Sequence, residues 1–346
     1  MIKFFLAATV ASVAVAASLG AASAQSRDTM QIAGSSTVLP FSSIVAEEFG
    51  QAFPEFKTPV VGSGGTGGGL RQFCAGVGDN TIDIANASRR MKAAEIESCN
   101  AAGVNDIREI QIGYDGIVFA SNASKGEFAL EPVHVFKAIA AQVAVDGKLV
   151  DNPYKSWNEI DASLPNQPIS LAIPASNHGT REVFQEKVIA DGAKAAGLPE
   201  LSKEELEKVT TTFRQDVVIE IAGDYTETLS RLQSNADTIG VFGLSFYDQN
   251  RDTLKVATVS GVTPSLETVA AGEYPVSRPL YFYVKGEHIG TVPGINEFVE
   301  FYLSEQMAGL GGTLEAAGLI PAPAEETAAV LAAFQEGKAL TVDAVK

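Results

Sequence analysis

Three times in this chain an apolar stretch gives way to a loop of Gly with Ser, Thr or Asn that runs straight into a segment with helical spacing. The loops are Gly34-Ser35-Ser36-Thr37, the glycine run from Gly62 to Gly69, and Asn177-His178-Gly179-Thr180. Met30–Ala33 precedes the first loop, and the apolar residues Phe41, Ile44, Val45, Phe49 and Phe53 follow it at helix intervals over 39–53. Around the second loop, Thr58–Val61 predicts a strand and Leu70–Val77 a helix. Further on, Ile82–Ala85 predicts a strand, Lys92–Ala102 a helix, and Ile110–Gly113 and Ile117–Ser121 two strands. In the second half of the chain, Val133–Ala140, Thr180–Ala190, Ser202–Val209 and Thr226–Asn235 predict helices, and Ile169–Ile173 and Ile239–Leu244 strands. The segment 152–165, with Trp157 between prolines, predicts a surface turn, and the tail from Thr291 predicts further helices. A repeated strand–loop–helix order predicts an open α/β sheet with its loops gathered at the carboxyl ends of the strands.

Such loops carry chemistry because a helix start offers unpaired backbone N–H groups and about half a positive charge. Glycine lets the backbone approach a ligand closely, and Ser or Thr adds a hydroxyl. One such loop is equally well a helix cap; three in one α/β chain point to an anion held where helix N-termini converge. Ser36, Thr37, Val38, Ser63, Thr66, Gly67, His178, Gly179 and Thr180 are the candidates these loops supply. The glycine run has no Gly-Lys-Ser/Thr, which excludes a Walker P-loop, and it lacks the acidic partner of a dinucleotide fold. Two arginines flank the loops: Arg89, after Ser88, and Arg181, after Thr180. A guanidinium fork suits a tetrahedral oxyanion.

The ends and the composition set the compartment. Lys3 is the one charge before Arg27, an apolar run spans Phe4 to Leu19, and Ala22-Ser23-Ala24 closes it. That is the pattern of a secretory signal peptide over residues 1–24, cleaved after Ala24, and the run is short for a span of about 20 residues. Periplasmic location is the expectation. Removing the leader leaves 322 residues (346 − 24), more than one hydrophobic core usually serves, so two lobes are expected. The formal charge of −17, or −18 once Lys3 is gone, argues against nucleic acid as partner. It is no obstacle to a small anion, which is held by local dipoles in a cleft. Cys74 and Cys99 are the two cysteines. In an oxidising compartment they read as one disulfide, worth about 2–4 kcal/mol. Neither has a His close in sequence, as a reactive thiol would, and no metal-ligand spacing is present. No cofactor is expected.

The motifs, taken in order, resemble one family. Gly34-Ser-Ser-Thr-Val-Leu-Pro, the Gly62–Gly69 loop with Leu-Arg-Gln-Phe, Asp83-Ile-Ala-Asn-Ala-Ser-Arg, Tyr114-Asp-Gly-Ile-Val, His178-Gly-Thr-Arg-Glu-Val-Phe and Ile239-Gly-Val-Phe-Gly-Leu-Ser-Phe-Tyr are similar, collinearly, to the substrate-binding proteins of phosphate ABC transporters. The resemblance implies a type II periplasmic binding protein fold. Two α/β lobes, 25–115 plus 275–346 and 116–274, would be joined by two crossover strands, near Gly116 and between Tyr274 and Tyr283, and would close like a hinge on a ligand in the cleft. It implies a monomer that captures inorganic phosphate and delivers it to a membrane permease.

Carried over, Thr37 and the Val38 amide match the family's first phosphate loop, Thr66 the serine hydroxyl of the second, and Gly179 and Thr180 the donors of the third. Two positions depart. Where the best-known members carry an aspartate that accepts a proton from the ligand and so rejects sulfate, this chain has Ser88-Arg89. Where they carry an arginine before the Gly-Thr pair, it has Pro174. Arg89 and Arg181 are then the expected cations, His178 stands in place of a serine, and Asp115 is the candidate proton acceptor. Other oxyanions (sulfate, arsenate, molybdate) are the alternative ligands. A phosphate-ester hydrolase is the rival from another class, but it needs an activated nucleophile or metals. The histidines His134, His178 and His288 show no metal spacing, and no G-x-S-x-G elbow with a triad occurs.

Overall fold

The computed structural model describes residues 27–176, 180–222 and 225–346 of the chain. Among them, nine strands form one sheet: β1 (Gln31–Gly34), β2 (Val60–Ser63), β3 (Ile84–Ala87), β4 (Ile107–Asn122), β5 (Leu171–Pro174), β6 (Val218–Ile221), β7 (Ile239–Gly243), β8 (Leu254–Val256) and β9 (Ser277–Lys285). They lie in the order β2-β1-β3-β9-β4-β7-β5-β6, with β8 also paired to β4. At one end β2, β1 and β3 are parallel; at the other β7, β5 and β6 are parallel. Between them β9 and β4 run antiparallel to their neighbours.

Strand β4 joins the two ends. From Ile107 to Gly116 it pairs with β9, and from Ile117 onward with β7 and β8. The packing divides at the same place. Ile110 and Ile112 enter a core with Phe41, Phe49, Phe282, Phe298 and Tyr302, whereas Ile117 and Phe119 enter another with Phe136, Trp157, Phe184 and Phe242. The first core is aromatic, with Phe49 edge-on to Phe298 at 5.5 Å between centroids; such a pair is worth about 0.5–1.5 kcal/mol beyond its buried area. A smaller cluster around Phe73 and Tyr283 includes the disulfide Cys74–Cys99, which ties the end of helix α2 (Gly65–Phe73) to α3 (Ala93–Ala101).

Several elements differ from the sequence expectation, each for a packing reason. The two strands expected at 110–113 and 117–121 are one, because Tyr114, Asp115 and Gly116 stay extended against β9. The ladder absorbs a bulge at Leu280/Tyr281, where Gly113 takes a φ of 139°. The glycine run is half helix: α2 begins at Gly65. A Cβ on Gly69 would lie 2.4 Å from the Cα of Gly34, so only glycine lets this helix lie on β1. Trp157 is fully buried, edge-on to Phe128, and not part of a surface turn. The helix expected at 180–190 is a short α-turn, Arg181–Val183, followed by a π-helical stretch, Phe184–Ala190. The wider turn places Phe184, Val188 and Ile189 together in the core.

Candidate functional site

The carboxyl ends of both parallel sets face one cleft of about 460 Å³, lined by Thr37, Asp115, Thr180, Ala222, Tyr225 and Ser245 among others. Thr37 follows β1, Thr180 follows β5, Ala222 and Tyr225 follow β6, and Ser245 follows β7, while Asp115 lies on β4 just before its change of partner. Ligands of open α/β sheets bind at this edge. Local sequence sets the geometry. Gly34 has φ 141° and sits so close to β3 that a Cβ would be 2.2 Å from the Asn86 carbonyl. The chain then turns, and Ser35 Oγ accepts from the amides of Thr37 (3.2 Å) and Val38 (3.4 Å). That turn leads into helix α1 (Leu39–Ala52), whose N-cap is Val38, and leaves the Thr37 side chain against the cleft.

Opposite Asp115 in the ladder is Arg278, on β9. Both are buried, at 5% and 6% exposure. Arg278 Nε lies 3.5 Å from Asp115 Oδ2, too far for a hydrogen bond, and both atoms lack a hydrogen-bond partner. The other guanidinium nitrogens reach further: Nη1 donates to Glu186 Oε2 (2.7 Å), and Nη2 donates to Thr37 Oγ1 (3.1 Å) and lies 3.4 Å from Glu182 Oε2. Thr37 Oγ1 donates in turn to Glu182 Oε2 at 2.5 Å. Burial pushes the Asp115 carboxyl up from 3.8 to about 6, against the opposing pull of Arg278. Across the cleft the Tyr225 hydroxyl donates to Thr180 Oγ1 (3.4 Å).

Of the residues chosen from sequence, Thr37, Asp115 and Thr180 line this cleft. Val38 is buried, its amide directed at Ser35. Thr66 and Ser88 form a buried hydroxyl pair (3.1 Å) at the neighbouring strand ends, with the Ser88 amide donating to Thr66 Oγ1. Gly67 lies half-buried in α2 beside Arg71, and Ser36 and Ser63 are exposed. His178 and Gly179 lie outside the described residues.

Neither expected arginine faces the cleft. Arg89 forks onto Glu95 with bonds of 2.9 and 2.8 Å, because Glu95 is already held over the start of α3 by the Lys92 amide. Arg181 donates to the Pro174 carbonyl (2.7 Å), lies 3.7 Å from Glu220 and covers the Phe213 ring. The cation bonded to a cleft residue is Arg278, whose Nη2 donates to Thr37 Oγ1 from behind the lining, and the sequence reading missed it. It stands on a strand with no glycine loop to mark it, and only the antiparallel pairing of β4 with β9 brings it opposite Asp115. Glu182 stands just past the third loop, but its contact with Thr37 bridges distant parts of the chain and leaves no local mark.

Two half-sheets joined through antiparallel crossing strands, with a cleft at the carboxyl ends of both, define a two-lobed ligand-binding protein. The family model for a PBP superfamily domain matches residues 19–306. The chain belongs to the PBP superfamily, with the fold of a type II periplasmic binding protein. It is 31% identical to Protein SphX of Synechococcus elongatus over 90% of this chain and 83% of that one. It is 28% identical to the Phosphate-binding protein PstS of Staphylococcus haemolyticus over 84% and 80%. The crystal structure of a "possible phosphate binding protein" from Planctomyces limnophilus superimposes with a TM-score of 0.70 at 27% identity, covering 90% of this chain and 98% of that one.

Proposed function

We propose that this protein is an exported solute-binding protein that captures inorganic phosphate between its lobes and hands it to a membrane ABC permease. The observation that carries this reading is one cleft lined by Thr37 and Thr180, which follow strands in the two halves of the sheet, and by Asp115 on the strand that joins them. Phosphate, among oxyanions, is favoured by two facts. PstS relatives named for phosphate binding match over most of the chain. And Asp115 offers a buried carboxylate oxygen with no hydrogen-bond partner, which can accept the proton that phosphate carries near neutral pH and sulfate lacks. Thr37, Thr180 and, at the adjacent strand ends, Thr66 and Ser88 are the hydroxyls we assign to the ligand.

The lobes in this reading are 25–115 with 275–346, and 116–274, following a leader at 1–24. Asp115 and Arg278 sit where both crossing strands pass between the lobes, so a ligand touching them is felt at the hinge. Binding then shifts an open–closed equilibrium by its differential affinity for the closed form, and the closed form is what a permease would read. A hydrolytic role has less support. His134 contacts Glu131 and Asp161, and His288 contacts Asp83 and Val77; neither lines the cleft.

Titration of the purified protein with phosphate, sulfate, arsenate, molybdate and a phosphate monoester tests the reading. Tight one-to-one binding of phosphate, with the ester left intact, supports it. Release of phosphate from the ester, or preferential binding of another oxyanion, overturns it.

A further inference from the structure

Around Arg278 the charges do not balance. One guanidinium faces Asp115, Glu182 and Glu186, so its own contacts sum to +1 − 3 = −2 before any ligand arrives; Arg89, within electrostatic reach of Glu186, is itself paired to Glu95. An oxyanion reaching Thr37 and Arg278 would make that sum more negative still, inside a cleft where charge is poorly screened. A carboxylate must therefore give way, and burial sets Asp115 aside. The Asp115 side chain is 7% exposed and fixed on β4, whereas Glu182 is 32% exposed and Glu186 57%. Glu182 is also the one whose oxygen already holds the position facing both donors, accepting from Thr37 Oγ1 at 2.5 Å and lying 3.4 Å from Arg278 Nη2. A carboxylate oxygen bound by a hydroxyl and a guanidinium is chemically what one edge of a bound oxyanion presents.

We propose that Glu182 is a built-in competitor for the anion site: its carboxylate occupies Thr37 and Arg278 in the anion-free chain, and the incoming oxyanion replaces it, with Arg278 as the cation that the two exchange. Because Glu182 follows Thr180 on the far side of the crossing while Thr37 follows β1, the same contact spans the cleft and favours the closed form of the anion-free chain, a bias that the competition for Thr37 and Arg278 outweighs in the affinity. Ligand affinity is thereby lowered by the share of molecules in which the competitor is seated. The argument rests on reading the cleft as an oxyanion site.

The test uses the full mature chain with Glu182→Gln and Glu182→Ala, each followed in two ways. By calorimetry, phosphate should bind both variants about tenfold more tightly than wild type, the scale of losing one charge-assisted competitor, while Arg278→Gln should weaken it by at least that factor. By small-angle scattering with no anion present, both Glu182 variants should have a larger radius of gyration than wild type. Unchanged or weaker phosphate affinity in Glu182→Gln overturns the proposal, and so does an unchanged radius of gyration in the anion-free Glu182→Ala chain. A wild type that binds no phosphate would defeat the phosphate reading, and the scattering arm would still decide the contact's role.

Discussion

Asp83 and Asp115 are both buried carboxylates on one sheet, each beside an arginine, yet their surroundings are opposite. Asp83 stands just before β3, at the amino end of the parallel strands. Its Oδ2 accepts from the Gln31 amide (2.6 Å), and its Oδ1 meets His288 Nδ1 (2.5 Å) and is bonded by Arg27. The neighbouring Lys285 is satisfied by the Gly76 carbonyl and Thr81, in the loop that the Cys74–Cys99 disulfide closes. Asp115 has an arginine at ion-pair distance that makes no hydrogen bond to its Oδ2, two further carboxylates near by and a raised pKa. Burial of charge with both oxygens answered reads as structure. Burial with a group left unanswered at the carboxyl edge of the sheet reads as a site prepared for a ligand.

The comparison can be broken first at Asp83. Replacing it with Ala strands Arg27 and His288 in a buried place, so Asp83→Ala should lose about 3–5 kcal/mol in urea unfolding, while the folded fraction binds phosphate as wild type does. Weakened affinity in that folded fraction would show the two ends to be coupled. Next in size, reducing Cys74–Cys99 or replacing both with Ser should cost about 2–4 kcal/mol through the freed loop, again with affinity unchanged.

At Asp115 the effect lies in its pH profile. The folded carboxyl titrates near 6 and the free one near 3.8, so the favourable, protonated state is fully present below about pH 4. That stability is lost as pH rises through about 6, by about 2–3 kcal/mol in all. The unfolding midpoint of Asp115→Asn, followed from pH 4 to 8 against wild type, should lack this fall; a parallel profile would place Asp115 with Asp83 as a satisfied structural charge. Smallest of all is Arg89→Ala. Its side chain, paired to Glu95, is more than a third open to water, so stability should change by less than about 1 kcal/mol. Phosphate affinity should hold, and a large loss by calorimetry would return Arg89 to the site.

Much of this was legible in the chain. The Gly34 loop announces itself because a tight turn from a parallel strand into a helix needs glycine and a hydroxyl to hold the turn, and Ser35 supplies that hydroxyl to the Thr37 and Val38 amides. Asp115 could be placed near a crossing only through the family resemblance, which puts the first crossover near Gly116; the apolar pattern alone suggested two separate strands. Arg278 and Glu182 could not be placed, since long-range pairing alone decides what faces them. Arg89 and Arg181 misled for the converse reason. Position beside a loop is local, but the direction of a long side chain is set by whichever acceptor lies near, here Glu95 and the Pro174 carbonyl. The helical half of the glycine run and the burial of Trp157 likewise depend on partners far away in sequence.

The ratio of phosphate to sulfate affinity, measured by calorimetry on wild type and on Asp115→Asn, tests most directly whether the unanswered carboxylate serves the ligand. Wild type should prefer phosphate, and Asp115→Asn should lose about tenfold or more of that preference, the worth of one hydrogen bond from the phosphate proton to a charged acceptor. An equal preference in the two proteins would contradict the account.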